Sequence, residues 1–315
     1  MLAAAIDKFG PPSVLTQHEL PVPSPSPTEV VIALEWAGVG VWDASTRDGS
    51  WKSGRTKFPV VPGVDGAGVV VATGSRVRRF RVGDRVYGYE YGNRKGGFYA
   101  QFAAVHANHV AKIPAGVSTR DAAAVGATGI TAMKGVQLLR LRRGSVVLIF
   151  GASGGLGTIA VQIAKRRGAS VIATASGRAA MRVVSELGAD VVVDARRAFA
   201  IDEIRDAAPD GLDAVLALAG GRELERCMDL VRHGGRVAFP HGVEPEPKRR
   251  PGVPVHGFDG VADPQQFKLM QRYLDRRTQV PIEAEYPLSQ AARAHRRLAR
   301  GHVVGRIVLR IPKTV

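Results

Sequence analysis

Residues 145–157 read Ser-Val-Val-Leu-Ile-Phe-Gly-Ala-Ser-Gly-Gly-Leu-Gly, and an apolar helical pattern follows directly. The apolar run 146–150 is typical of a strand that is buried on both faces of a parallel sheet. The glycine-dense turn after it matches a dinucleotide fingerprint, in which Ala152, Gly154 and Gly157 take the three small-residue positions. This strand, turn and helix predict a nucleotide-binding site at the start of the helix.

The segments after this turn alternate between strand and helix patterns. Strands are predicted at 170–174, 190–193, 213–218 and 236–239, and helices at 178–187, 199–208 and 222–231. Strict alternation of this kind favours an α/β fold with a doubly wound parallel sheet, as in Rossmann domains. The expected pyrophosphate contacts are the backbone N–H groups of Ser153, Gly154, Gly155, Leu156 and Gly157.

The end of the second predicted strand indicates which nicotinamide cofactor is bound. Enzymes that bind NAD present Asp or Glu about 20 residues after the turn, where it holds the ribose 2′-hydroxyl. Residues 173–178 read Ala-Thr-Ala-Ser-Gly-Arg and contain no carboxylate. The Ser176 hydroxyl and the Arg178 guanidinium suit a 2′-phosphate, so NADPH is favoured over NADH. The alternative is that Arg178 is only a solvated residue in the first turn of a helix.

The length and composition indicate a globular chain with room for two domains, since it has 315 residues and is 45% hydrophobic. Every apolar stretch is shorter than the roughly 18 residues that a membrane helix needs. The apolar start of the chain is interpreted as a first strand and not as the core of a signal peptide, because it ends at Asp7 and Lys8 and no basic region precedes it. The single cysteine, Cys227, excludes an internal disulfide and a site built from several thiolates. A cytoplasmic protein is expected.

The formal net charge of +16 raises the question of nucleic-acid binding. Basic residues cluster at four places, namely 76–81, 140–143, 165–167 and 248–250. These clusters lie far apart in the sequence and contain few aromatic residues, so nucleic-acid binding is the weaker interpretation. A positive field would attract anionic ligands such as NADPH or a coenzyme A thioester.

The two ends of the chain carry short strand patterns separated by proline and glycine. Strands are predicted at 14–20, 29–36, 66–72, 84–87, 99–105, 282–286 and 303–311, with one helix at 288–300. These patterns predict an antiparallel, barrel-like β domain. We therefore expect a β domain begun by residues 1–120, a nucleotide-binding domain at 121–260, and a final part, 261–315, that returns to the first domain.

Several further motifs are found together in one known family. They are residues 37–43 with Arg47 and Gly49, 62–68, 83–88, 96–101, 122–132, 151–157 and 301–306. On these motifs, nearly the whole chain resembles the medium-chain dehydrogenase/reductase superfamily and its zinc-independent quinone oxidoreductase-like branch. The resemblance implies a GroES-like β domain built from both chain ends, an inserted Rossmann domain and a ligand cleft where they join. It also implies a homodimer formed through the edge strand of the Rossmann sheet, with 253–258 as the candidate.

Zinc-containing members of the superfamily hold a catalytic metal at positions that correspond to Gly40, Val64 and Ala127. None of these residues can bind zinc. His106 and His109 lack a third ligand in the sequence, so surface or packing roles are expected for them. Without a Lewis acid, simple alcohol oxidation is disfavoured. Hydride transfer from NADPH to a small electrophile, a quinone or an α,β-unsaturated carbonyl compound, stays feasible.

The resemblance also assigns residues to the site. Thr131 matches a position near the nicotinamide and Arg306 a basic position near the cofactor, while Ala219 and Phe239 should flank the cofactor at the carboxyl ends of later strands.

The substrate candidates are Trp42, Tyr89 and Tyr91. The alternatives are ordinary packing for Trp42 and exposed loop positions for the two tyrosines. Quinone reductase-like relatives often have Asn where this chain has Gly40, and Tyr where it has Ser45. No general acid is therefore named, and a redox-inactive NADPH-binding sensor or structural protein is the alternative function.

Overall fold

The computed structural model describes residues 1–50, 56–197 and 199–313, so the end of the predicted segment 261–315 lies outside the described residues. The strands are β1 Leu2–Ala5, β2 Thr16–Glu19, β3 Glu29–Val39, β4 Asp65–Thr73, β5 Arg85–Tyr89, β6 Phe102–His106, β7 Val110–Lys112, β8 Val146–Phe150, β9 Ser170–Thr174, β10 Val191–Val193, β11 Leu212–Ala217, β12 Val231–Pro240, β13 Val255–Phe258, β14 Ile282–Pro287 and β15 Arg306–Arg310.

The helices are α1 Val41–Asp48, α2 Thr119–Leu138, α3 Gly155–Arg166, α4 Arg178–Glu186, α5 Ala200–Ala207, α6 Arg222–Met228, α7 Pro264–Met270 and α8 Ala291–Ala299. No helix in the described part of the chain is long and apolar enough to cross a membrane. The chain divides into two compact units, the first made of Met1–Ala127, Ala262–Arg277 and Ile282–Val315, the second of Thr128–Val261 and Thr278–Pro281.

The first unit is built on a β-sheet whose strands come from both ends of the chain. The order is β14-β15-β3-β4-β5-β7, with β6 also paired to β3, and β1 pairs with β2 in a small separate sheet. All pairs are antiparallel except β14 with β15. Alternating apolar residues of β3 pack on buried aromatic residues such as Phe98 and Tyr99. This is the predicted GroES-like β domain.

The second unit contains a parallel sheet with the order β10-β9-β8-β11-β12-β13. Counted along the chain, this is the 3-2-1-4-5-6 order of the dinucleotide-binding Rossmann fold. The apolar run of β8 lies at the centre of the sheet, and four of its five residues are buried. The predicted fold class is confirmed. β13 lies at one edge, and the homodimer expected through that edge stays a prediction.

Some predicted boundaries were wrong where pairing in the sheet overrides the local pattern. The helix predicted at 222–231 ends at Met228, because Val231 already pairs with Leu212 as the first residue of β12. The strand predicted at 99–105 begins only at Phe102, and Ala100 instead forms an isolated bridge with Ala3.

Candidate functional site

The turn after β8 leaves an open, polar helix start. Gly154 caps α3, and the N–H of Thr158 donates to the Gly154 carbonyl oxygen over 3.0 Å. The N–H groups of residues 155–157 precede this first helical hydrogen bond and therefore have no carbonyl partner within the helix. A Cβ built on Gly154 would meet no described atom within 4 Å. This space, next to oriented N–H groups, is suited to a phosphate.

The other small residues of the turn hold the helix against the sheet. A Cβ on Gly157 would lie 2.5 Å from the carbonyl oxygen of Ala152 and 2.6 Å from its Cα. The sequence pattern assigns the tight turn to Ala152, but the left-handed residue is Gly151, at φ +85°. Ala152 is buried, and its N–H donates to the Thr174 carbonyl over 2.8 Å. Gly151 thus makes the turn and Gly157 allows the close packing.

The expected 2′-phosphate residues lie at the end of β9, beside a carboxylate that the sequence analysis missed. The Ser176 hydroxyl donates to Asp194, which follows β10, over 3.4 Å. Hydrogen bonds from Arg196 hold the pKa of Asp194 down at about 2. Arg178 is exposed at the start of α4, whose first turn contains no acidic residue. Asp194 follows β10 and not β9, and it comes close to Ser176 because neighbouring parallel strands bring their carboxyl ends together.

The remaining cofactor candidates of the second unit lie at the expected edge of its sheet. Ala219 is exposed just after β11, and its Cβ would lie 3.5 Å from a Cβ on Gly151. Phe239 is the penultimate residue of β12 and is buried. Thr131, on α2, packs against the backbone of Gly260, which follows β13. Their contacts with a cofactor stay predictions.

In the first unit, two fully buried carboxylates bind the backbone at Gly40, Val64 and Ala127, the three positions that the resemblance matches to zinc ligands. Asp43, on α1, accepts hydrogen bonds from the N–H of Gly40 over 2.7 Å and from the N–H of Val64 over 3.0 Å. Asp65, on β4, accepts one from the N–H of Ala127 over 3.0 Å. The three backbone segments are therefore held in place by the two aspartates.

Arg306 forms an ion pair with Asp65 in the cluster of Asp43, Asp65 and Arg306, and so offsets the charge of one carboxylate. One of its terminal nitrogens, Nη2, lies 3.0 Å from each carboxylate oxygen of Asp65, and the arginine is only 7% exposed. Glycine is needed beside this pair, since a Cβ on Gly38 would collide with both side chains. The Nε of Arg306 is buried and has no hydrogen-bond partner among the described residues. Whether Arg306 contacts a cofactor stays a prediction.

Burial shifts the acidity of both aspartates in the same direction. Loss of water around Asp43, followed by repulsion from Asp65, raises its pKa to about 7, although its hydrogen bonds and Arg306 act in the opposite direction. Burial also raises the pKa of Asp65, against the attraction of Arg306. Because both effects favour the neutral acid, a proton can be held in this cluster near neutral pH.

A chain of buried hydrogen bonds leads from α8 to Asp43. Arg47 Nη1 lies 3.1 Å from His295 Nδ1, and His295 Nε2 lies 3.1 Å from the Tyr99 hydroxyl. Arginine can only donate, so Nδ1 accepts, Nε2 carries the proton, and the Tyr99 hydroxyl is left to donate to Asp43. Burial and the Arg47 charge lower the pKa of His295 to about 3, so the ring is neutral. These hydrogen bonds connect Arg47 and Asp43, both on α1, through His295 and Tyr99.

The structure shows the surroundings of the three substrate candidates, whose contact with a substrate stays a prediction. Tyr89 ends β5 and is buried, so the alternative of an exposed loop tyrosine was wrong. Tyr91 is half-buried and packs edge-on against Trp42, with ring centroids 5.7 Å apart. Burial raises the pKa of Tyr91 to about 12, against a hydrogen bond with Thr46. Trp42 lies on α1, so this ring contact joins α1 to the segment that follows β5.

The two histidines considered as metal ligands lie at the end of β6 and in the turn after it. Their ring centroids are 5.3 Å apart, and His106 accepts the N–H of Asn108. His109 lies 3.4 Å from Glu90. Within residues 1–50, 56–197 and 199–313, no group of three or more His, Cys, Asp or Glu side chains is placed to hold a metal ion.

Family models match both parts of the chain. The alcohol dehydrogenase GroES-like domain matches residues 26–115, and the zinc-binding dehydrogenase family matches residues 155–254. The quinone oxidoreductase of Mus musculus is 31% identical over 317 residues, which covers 96% of this chain and 95% of the mouse protein. The chain belongs to the medium-chain dehydrogenase/reductase superfamily, as a quinone oxidoreductase-like member.

Solved structures of superfamily members have the same fold as this chain. One described as an NAD-dependent alcohol dehydrogenase has a TM-score of 0.91 at 29% identity, covering 99% of this chain and 100% of its own. A mycobacterial protein solved in complex with NADPH has a TM-score of 0.85 at 27% identity, covering 98% and 99%. As a member of this superfamily, the chain is an oxidoreductase of the type that uses a nicotinamide cofactor.

Proposed function

We propose that this chain is an NADPH-dependent oxidoreductase that transfers hydride to a quinone or an α,β-unsaturated carbonyl compound without zinc. One observation carries the proposal. The side chains of Gly40, Val64 and Ala127 cannot bind a metal ion, and buried aspartates accept hydrogen bonds from the backbone N–H groups of these residues instead. The name of the mouse relative, quinone oxidoreductase, supports the same substrate class.

Two features of the second unit support the proposal of a dinucleotide that carries a 2′-phosphate. The open space at Gly154 suits the pyrophosphate. At the start of α4, the Arg178 guanidinium has no hydrogen-bond or ion-pair partner among the described residues, and a cation there is unfavourable for the helix dipole. An anion would stabilise both the arginine and the helix start. This favours NADPH over NADH, with Ser176 as a further contact.

In the proposed reaction, the role of the protein is to bind the cofactor and the acceptor and to orient them for hydride transfer. A bound reduced nicotinamide supplies the hydride. An acceptor conjugated to a carbonyl group spreads the developing negative charge, so no metal is needed to stabilise an alkoxide. We propose that Trp42 and Tyr91 pack on the flat acceptor, and the raised pKa of Tyr91, about 12, keeps its hydroxyl protonated at neutral pH. Water delivers the proton.

Cofactor selectivity is tested by Arg178→Ala. This variant should weaken NADPH binding roughly ten- to hundredfold and leave NADH nearly unchanged, because a charge-assisted contact to the 2′-phosphate is lost. Arg182→Ala is the matched control, since Arg182 lies one turn further along α4 and is 75% exposed. Fluorescence titration with both cofactors measures the two Kd values. Equal losses for NADPH and NADH would refute the assignment.

The phosphate turn is tested by Gly154→Val, which should abolish binding of both cofactors because the side chain fills the open space. Circular dichroism checks that the variant folds. Retention of NADPH binding by the folded variant would place the pyrophosphate elsewhere.

Turnover separates an enzyme from a sensor. The wild-type protein with NADPH is offered a panel of quinones and enones while the absorbance of the reduced nicotinamide is recorded. Oxidation of NADPH by members of the panel supports the reductase. Tight binding with no turnover of any acceptor would support a redox-inactive NADPH-binding protein instead.

A further inference from the structure

The segment after β10 lies beside the proposed 2′-phosphate residues. β10 pairs in parallel with β9, with Val193 opposite Thr174. The two chain segments that leave these strands are therefore neighbours, and Ser176 in one contacts Asp194 in the other. Any group that binds at Ser176 is within reach of residues 194–197.

Asp194 is saturated with hydrogen-bond donors. It accepts the N–H groups of Gly177 and Arg196, the Ser176 hydroxyl, and both Nε and Nη2 of the Arg196 side chain at 3.1 Å each. A carboxylate offers about four acceptor sites, and the four donors of Gly177 and Arg196 fill them even when the Ser176 hydroxyl turns to a ligand. Its side chain is also only 14% exposed. Asp194 therefore does not replace the acid of NAD-binding enzymes.

Arg196 is anchored on one side and open on the other. Two of its nitrogens bond to Asp194, whereas Nη1 has no partner among the described residues and the side chain is 60% exposed. An arginine already held in place loses less conformational freedom when it binds a phosphate. The backbone next to Ser176 is also open on one side, since a Cβ on Gly177 would meet no described atom within 4 Å.

We propose that Arg196 is a second arginine for the 2′-phosphate and that Asp194 positions it. The proposal rests on the NADPH preference proposed above and adds a specificity-determining residue to it. Arg178 is the first residue of α4 and Arg196 lies three residues after the end of β10, so a dianionic phosphate beside Ser176 would be held by arginines from two neighbouring segments. The ribose 2′-hydroxyl of NADH offers neither arginine a charge.

The test compares Arg196→Ala with Arg197→Ala. Both variants remove one positive charge, and Arg197 is the next residue, paired with Glu203 over 3.4 Å. Kd values are measured for NADPH and NADH, and for 2′,5′-ADP and ADP as competing fragments. We expect Arg196→Ala to weaken NADPH and 2′,5′-ADP roughly tenfold or more and to leave NADH and ADP unchanged. Arg197→Ala should change none of them.

Two further variants separate positioning from a structural role. Asp194→Asn should weaken NADPH but not NADH, because Arg196 loses its anchor. Arg196→Lys keeps the charge without the two-nitrogen contact and should recover part of the NADPH affinity. Thermal unfolding and NADH binding report whether each variant folds; if Arg196→Ala does not fold, Arg196→Lys must lower the ratio of NADPH to NADH affinity for the proposal to stand.

Distinct outcomes overturn the two proposals. If Arg178→Ala lowers the ratio of NADPH to NADH affinity and Arg196→Ala behaves like Arg197→Ala, the NADPH preference stands and the role of Arg196 is refuted. If Asp194→Asn weakens NADH selectively, Asp194 is a ribose ligand and its positioning role is refuted. If the wild-type protein binds NADH more tightly than NADPH, both proposals fail.

Discussion

Asp43 and Asp65 have no exposed surface, although each carries an ionisable group. Burial of a carboxylate is tolerated only where hydrogen bonds and an opposite charge replace water. Here three backbone N–H groups and Arg306 do so. At the scale of single residues, the two aspartates hold the backbone of Gly40, Val64 and Ala127 together through hydrogen bonds.

The raised pKa of Asp43 makes stability depend on pH. Its pKa is about 7 in the folded protein, against an ordinary value of 3.8. Between these values the folded state holds a proton that the unfolded state has released. The free energy of unfolding should therefore fall as pH rises from about 4 to about 7, and this contribution should level off above about 7.

Asp43→Asn should remove this dependence. Asparagine does not titrate, but it accepts only one of the two backbone hydrogen bonds, so we expect about 1–3 kcal/mol lower stability at pH 5. Urea unfolding between pH 5 and pH 8 measures both effects. Asp206→Asn, at an exposed position of α5 away from this cluster, is the control. An unchanged pH slope in Asp43→Asn would mean that Asp43 is ionised throughout.

At the scale of elements, the two glycines of the phosphate turn have opposite surroundings. A Cβ on Gly157 would lie 2.5 Å from the Ala152 carbonyl, whereas a Cβ on Gly154 would meet no described atom within 4 Å. Gly157 is needed because α3 packs closely on the backbone of Ala152, and Gly154 is needed because a ligand is expected in the open space beside it. One turn thus combines a packing constraint and a binding constraint.

Alanine substitutions separate these constraints. Gly157→Ala should lower the free energy of unfolding by about 1–3 kcal/mol, because α3 must move away from Ala152. Gly154→Ala should leave stability nearly unchanged, since this residue has φ −75° and an open side. Urea unfolding of both variants without cofactor is the measurement. Equal destabilisation by the two substitutions would contradict this division of roles.

The sequence predicted most elements from local signals and missed those whose signals were short. The central strand β8 was predicted at its observed bounds from five apolar residues. α7 was missed although Asp263 and Pro264 form a helix-start signal, with the Asp263 carboxylate accepting N–H groups of residues 265 and 266. The buried acids were missed because nothing near Asp65 in the sequence, where it lies in Gly-Val-Asp-Gly, indicates that it is buried. Its ion-pair partner, Arg306, lies 241 residues further along the chain.

At the scale of the whole molecule, basic residues outnumber acidic ones, but some of them form ion pairs. The net charge is +16, yet Arg250 bonds to Glu225 over 2.8 Å and Lys165 bonds to Asp190 over 2.7 Å. These ion pairs reduce the charge that two of the four basic clusters offer to a polyanion. Because the field acts over distance, the composition alone indicates attraction of anions, whereas the place where they bind depends on particular residues.

This field should act on the rate of cofactor association. Raising the ionic strength from about 10 mM to about 150 mM shortens the Debye length from about 30 Å to about 8 Å. The association rate constant of NADPH should then fall, and more steeply than that of NADH, because the 2′-phosphate adds close to two negative charges. Stopped-flow fluorescence measures both rates, with quenching by an uncharged quinone as the control. If the association rate constants of NADPH and NADH depend equally on ionic strength, the surface ion pairs neutralise the positive field and this prediction is wrong.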